Sequence, residues 1–157
     1  MFPNGDNFVG NFRKGQPHGL GKLICKDGSM YTGTFKNGKK EGKGKWNFAR
    51  VVNNDTEVLQ RAEYSGELQD NARCGTGKQT WSSGGTYEGS FKDDKRHGYG
   101  TMRWADGTFY QGDWFNGQVE GHGKIVYVDG FLQIGLFKDN ILVKKCIEGY
   151  VGELKLE

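Results

Sequence analysis

Proline is almost missing from this chain. Two of the 157 residues are proline, against 27 glycines, so a Pro-rich disordered segment is excluded. Cysteine is equally scarce: Cys25, Cys74 and Cys146 are odd in number and share no close spacing, which argues against a disulfide framework. A reducing, cytoplasmic location is the matching expectation. No apolar run approaches the ~18 residues of a membrane span, and the first residues carry no apolar signal region. Charge of one sign is also lacking, because 22 Lys and Arg stand against 19 Asp and Glu for a net +3. That balance lacks the clustered basic face of a nucleic-acid domain, so no nucleic-acid partner is expected. Apolar residues are only 34% of the chain, yet aromatics reach 13%. A thin sheet with patterned aromatic burial suits this composition better than a two-layer core.

What is abundant is glycine, and it is periodic. Phe8-x-Gly10-x-Phe12 returns as Tyr31-x-Gly33-x-Phe35, Tyr64-x-Gly66-x-Leu68, Tyr87-x-Gly89-x-Phe91 and Tyr110-x-Gly112-x-Trp114, with a shortened copy at Gln133-x-Gly135-x-Phe137. The step is 23 residues except between Tyr31 and Tyr64, where it is 33. Further along each of the first five copies lies a second element: Gly19-x-Gly21, Gly42-x-Gly44, Gly75-x-Gly77, Gly98-x-Gly100 and Gly121-x-Gly123. With the aromatic as position 1, positions 3, 12 and 14 are glycine in all five copies. A fixed period of this length signals stacked repeats.

The pattern is fullest at Tyr87 to Gly107, with Phe8 to Gly28 and Tyr110 to Gly130 close behind; the copies from Tyr31 and Tyr64 are looser. It resembles the MORN repeat (membrane occupation and recognition nexus) over nearly the whole chain. The resemblance implies an all-β fold, a single-layer twisted antiparallel meander of tandem hairpins forming an elongated rod. The residues support the same expectation. Tyr87-Glu88-Gly89-Ser90-Phe91 alternates with period 2, as a strand does. Lys92-Asp93-Asp94-Lys95 and Lys36-Asn37-Gly38-Lys39 carry turn chemistry, and Asp27-Gly28, Asp106-Gly107 and Asp129-Gly130 are strong turn dipeptides. Two strands per repeat at about 4.8 Å spacing give roughly 10 Å per repeat.

Glycine inside strands needs a cause. Rings at positions 1, 5 and 18 lying across neighbouring strands would collide with a side chain at 3, 12 or 14, so glycine there admits the rings. One domain spanning residues 1–157 is expected, with an insertion at 49–63. Either a protruding hairpin tipped by Asn53-Asn54-Asp55-Thr56 or a short helix from Thr56 through Ala62 fits that insertion. Residues 141–157 read as a capping hairpin built from Ile141-Leu142-Val143 and Tyr150 to Leu154. Asn4-Gly5-Asp6-Asn7 matches a closing repeat turn, so the chain starts in mid-repeat.

No catalytic constellation emerges. No Gly-x-Gly copy extends to G-x-G-x-x-G, no Walker sequence or G-x-S-x-G occurs, and these glycines lie in strands rather than before helices. Position 11 holds His18, Glu41, Cys74, His97 and Glu120, a set with metal-ligand chemistry. Repeats about 10 Å apart cannot share one zinc whose donors lie about 2.0–2.3 Å from it, so a turn-flanking polar role is the reading. No cofactor, metal or enzymatic activity is expected.

Two surfaces remain. Tyr64, Trp81, Tyr87, Trp104, Tyr110 and Trp114, with Arg96 and Arg103 at the rim, are candidate anchors for a partner's helix or extended peptide along the aromatic face. The same rings could equally pack on one another. Lys22, Lys45, Lys78 and Lys124 form a column at position 15 on the other face, suited to an anionic surface. The resemblance implies a non-enzymatic scaffold in a cytoskeletal, ciliary or membrane-associated assembly. Its alternative is a membrane-targeting or regulatory module of a larger enzyme, such as a lipid kinase or exchange factor.

Overall fold

A computed structural model of the chain describes residues 1–48 and 61–153. Twelve strands form one open antiparallel sheet in strict sequence order. They are β1 (Asn7–Arg13), β2 (Gln16–Ile24), β3 (Met30–Lys36), β4 (Lys39–Phe48), β5 (Ala62–Gln69) and β6 (Ala72–Trp81). The sheet continues through β7 (Thr86–Lys92), β8 (Lys95–Arg103), β9 (Phe109–Phe115), β10 (Gln118–Val126), β11 (Phe131–Lys138) and β12 (Ile141–Tyr150). Every repeat is one hairpin, and no helix occurs among the described residues.

Two turn types alternate. Within each repeat the hairpin closes on two residues of positive φ, such as Asn37 (50°) and Gly38 (81°) or Asp93 (48°) and Asp94 (70°). Positive φ at both central residues is the type I′ geometry whose twist suits adjacent strands. Asn, Asp and Gly tolerate it best, which explains their recurrence at this point. Between repeats the turn is wider: Trp104 N–H donates to Thr108 O at 2.8 Å, and Gly107 N–H to Trp104 O at 3.0 Å. The Asp106 carboxylate accepts from Thr108 N–H at 2.8 Å, as Asp27 and Asp129 do in their own copies. Phe2 to Asp6 repeats the same hydrogen bonding.

Pairing aligns the glycines of positions 3 and 14 into one row across the sheet, from Gly10 through Gly21↔Gly33 and Gly44↔Gly66 to Gly123↔Gly135. The position-1 ring lies along this row. A Cβ on Gly44, Gly77, Gly100 or Gly123 would fall under 3.0 Å from the ring of Tyr31, Tyr64, Tyr87 or Tyr110. Each phenol then donates to the carbonyl three residues on: Tyr31 to Thr34 (3.0 Å), Tyr64 to Glu67 (2.7 Å), Tyr87 to Ser90 (2.8 Å) and Tyr110 to Asp113 (2.9 Å). Phe8 fills the equivalent place without that bond. Ring clearance therefore holds for position 14, whereas at position 3 a Cβ would first meet the facing strand's backbone, as Gly33 would meet Gly44 Cα and Lys43 O.

Position 12 obeys a different constraint. Gly19, Gly42, Gly75, Gly98 and Gly121 all have positive φ, from 56° to 100°, where the register slips opposite position 4. They face the position-4 side chains Asn11, Thr34, Glu67, Ser90 and Asp113 rather than the rings. Glycine is needed there for the backbone of a β-bulge, not for ring clearance. The bulge is also capped, for Asp113 accepts from His122 N–H at 3.0 Å and Glu67 from Thr76 N–H at 2.6 Å.

The core is the resulting aromatic zipper. Tyr87 meets Phe91 (5.1 Å) and Trp114 (5.4 Å) edge-on, and Tyr110 meets Trp114 (5.5 Å) and Phe137 (5.2 Å) in the same manner. Such pairs add roughly 0.5–1.5 kcal/mol each beyond simple burial. The expected C-terminal capping hairpin is corrected: residues 141–150 form the single strand β12, which pairs with β11 from Ile141 to Tyr150 with register shifts at Val143 and Cys146. The insertion alternatives lie mostly outside the described residues, although Ala62 and Glu63 belong to β5.

Candidate interaction surface

The two faces differ in kind. On the aromatic face the rings of Tyr64, Tyr87, Tyr110 and Trp114 are 0–4% exposed. They are the core, covered by neighbouring repeats, and their expected role as accessible anchors does not match that burial. Trp81 is half-buried and Trp104 remains exposed. Along the same flank Trp46 stacks on Phe48 at 4.5 Å, and Tyr127 on Phe131 at 6.3 Å. Positions 16 and 18 thus leave a line of partly open rings beside the buried zipper.

Burial accounts for the ionisation of the tyrosines. It pushes the Tyr31 and Tyr87 phenols up to about 12, and those of Tyr64 and Tyr110 further in the same direction. Neutral phenols are what the hydrogen bonds to position-4 carbonyls require.

Arg96 is not a rim residue. Its guanidinium stacks over Trp114 at 4.6 Å, lies 5.9 Å from the Tyr87 ring and donates to Gly117 O at 3.0 Å. Arg103 belongs to the opposite face: it sits 4.8 Å over Phe109 and borders a shallow 150 Å³ depression with Thr86, Glu88 and Thr101. The odd position 17 puts it there by strand alternation.

Position 10, opposite the ring of position 5, is what the glycine pattern concealed. Phe35 pairs with Lys40, Leu68 with Arg73 and Phe91 with Arg96. The Lys40 ammonium lies 4.0 Å over Trp46, and the Arg73 guanidinium contacts Phe48, Tyr64 and Phe91 at 5.2–5.9 Å. Arg73 also pairs with Asp94 at 2.6 Å and donates to the Gln79 side chain. Tabulating position 10 as Pro17, Lys40, Arg73, Arg96 and Val119 would have exposed this row.

The opposite face carries the lysine column as expected. Lys22, Lys45 and Lys78 are exposed and Lys124 half-buried. They alternate with Thr32, Ser65 and Glu88 across the strands. Lys45 is partly neutralised by Glu63 at 3.1 Å.

Position 11 is structural. The Nδ1 atoms of His18 and His97 accept the turn amides of Asn37 and Asn116 at 3.3 Å, and Glu41 accepts that of Asp70 at 3.0 Å. Each fastens the next repeat's left-handed turn. Among the described residues no three His, Cys, Asp or Glu side chains form a metal-holding group.

A family model for the MORN repeat matches residues 8–30, 31–49, 64–86, 87–109 and 110–131. The chain belongs to the MORN-repeat family. MORN repeats are commonly scaffold or membrane-binding modules, and the family is generally non-catalytic. Among curated proteins none matches the chain significantly.

Proposed function

We propose that this MORN array is a non-enzymatic scaffold that binds a partner protein along its aromatic face, within a cytoskeletal, ciliary or membrane-associated assembly. The observation that carries this reading is the line of partly open rings at Trp46, Phe48, Trp81, Trp104 and Tyr127. They flank a buried zipper on a sheet with no second layer among the described residues. Aromatic side chains supply large contact area at small entropic cost, and repeat arrays offer such surfaces to extended partners. Trp104 is the suitable probe, because it sits in an inter-repeat turn and is 37% exposed. Trp104→Ser is expected to leave the thermal melt nearly unchanged while reducing capture of the partner from a cytoskeletal extract. Unaltered capture by Trp104→Ser would sink this reading.

The exposed lysine column supports a second reading, attachment to an anionic membrane as a targeting or regulatory module. Its signature is co-sedimentation with phosphatidylserine vesicles that Lys22→Glu with Lys78→Glu abolishes and Trp104→Ser does not.

A further inference from the structure

The row of cations at position 10 has a chemistry that packing alone does not need. Lys40, Arg73 and Arg96 stand on β4, β6 and β8, two strands apart, and so recur every ~10 Å across the aromatic face. Of the three, Arg73 has a carboxylate partner, Asp94. Lys40 and Arg96 have none among the described residues; rings, the Gly117 carbonyl and Met102 Sδ surround them. Burial accordingly lowers the pKa of both below the ordinary value, the mark of charge with too little compensation.

The Lys40 ammonium is still reachable. Lys40 is only 9% exposed, and its ammonium makes no hydrogen bond. Yet among the described residues no buried side-chain nitrogen lacks a hydrogen-bond partner, so this one touches solvent. A charge so placed is largely desolvated but keeps an edge in contact with water. A carboxylate approaching from outside would gain a charge-assisted bond while displacing little water.

We infer that Lys40, Arg73 and Arg96 form a receptor row for the carboxylates of an acidic, extended segment of a partner protein lying across the strands. This deepens the aromatic-face reading and rests on it. A polyproline II segment has three residues per turn and rises about 3.1 Å per residue, so acidic residues at every third position lie on one face and match the ~10 Å recurrence of the row. A single chain fits better than a lipid surface. The exposed turn residues Asp70, Asp93 and Asp94 stand beside the row, and a planar anionic bilayer would meet these carboxylates before the cations behind them.

The test titrates the intact chain with a fluorescent peptide of four Gly-Ser-Glu units, against a Gly-Ser-Gln control, by anisotropy at low and high salt. The acidic peptide is expected to bind, to weaken as salt rises, and to lose at least about tenfold in affinity with Lys40→Met or Arg96→Met. Arg96→Lys should restore part of that loss, and Lys22→Met with Lys78→Met should change nothing. Each variant is first checked for its β-sheet circular dichroism. Should a methionine variant unfold, the Trp46 and Trp114 indole N–H resonances of the unaltered protein decide, since they must shift as the acidic peptide is added. The proposal is overturned by equal binding of the two peptides, by static indole resonances, or by loss of binding through the lysine column instead. Binding of phosphatidylserine vesicles through Lys40 and Arg96 would overturn it too. Failure here with Trp104→Ser still impairing capture leaves the scaffold reading intact with an apolar partner; failure of both removes the aromatic face as a binding surface.

Discussion

Two glycines of one repeat do different work, and substitutions can separate them. Gly100 lies under the Tyr87 ring and a Cβ there would strike the phenol, which is itself fixed by its bond to Ser90 O. Thr101, its neighbour, points to the opposite face between Glu88 and Gln111. Gly100→Ala is therefore expected to cost about 1–3 kcal/mol through overpacking, and Thr101→Ala less than about 0.5 kcal/mol, as surface changes usually do. Chemical denaturation of the two variants compares them directly; equal midpoints would end the ring-over-glycine account. Gly98, by contrast, has φ of 92° and open chain beside it except for Ser90. Position 12 could not be distinguished from position 14 by sequence, because clearance and left-handed backbone both select glycine. Only the register slip between Gly89 and Phe91 reveals which constraint applies.

At the scale of the hairpin, each turn is also a clamp on the repeat before it. The second turn residue donates its N–H to the position-10 carbonyl of the preceding hairpin, as Asn71 does to Lys40 O at 3.1 Å and Asp94 to Arg73 O at 3.0 Å. Its side chain accepts the position-10 N–H in return: Asn71 from Lys40 at 2.8 Å, Asn140 from Val119 at 2.8 Å. Asn71 also holds φ of 68°, which alanine resists. Asn71→Ala should thus lose one hydrogen bond of about 1 kcal/mol and add backbone strain of about 1–2 kcal/mol. Hydrogen exchange should quicken at Lys40 and along the β4–β5 seam; protection unchanged at that seam would refute the clamp. The turn itself was legible from Asn, Asp and Gly between alternating strands, but its pairing partner was not. That partner lies 31 residues away across the insertion, and no local pattern carries it.

For the molecule as a whole, period and turn chemistry were enough to place the repeats in one antiparallel meander, since each hairpin can pair only with its neighbours, but not to show that the last repeat ends in the single strand β12. The candidate site was far less legible. Residue type alone marks the aromatics as anchors, whereas Tyr64, Tyr87 and Tyr110 are sealed by the next repeat; burial in a stacked array depends on neighbours that a single motif does not show. That sealing has a thermodynamic consequence. Tyr31, Tyr64, Tyr87 and Tyr110 are all protonated below pH ~10 in both folded and unfolded chains, so they contribute no pH dependence there. Between ~10 and about 12, where Tyr31 and Tyr87 first ionise in the fold, the unfolded chain binds fewer protons than the native one. Stability must therefore fall as pH rises through this window, and Tyr64 and Tyr110, shifted in the same direction, steepen the fall. Because neighbouring repeats share each ring, the four phenols should ionise with loss of the sheet rather than before it. Alkaline titration followed by phenolate absorbance and far-ultraviolet circular dichroism checks this: the buried-tyrosine signal and loss of β-structure are expected in one step. Tyr87→Phe should make that step shallower by one proton. Ionisation of these four with the sheet intact would mean that the rings are open to water, and the aromatic zipper would not be the core.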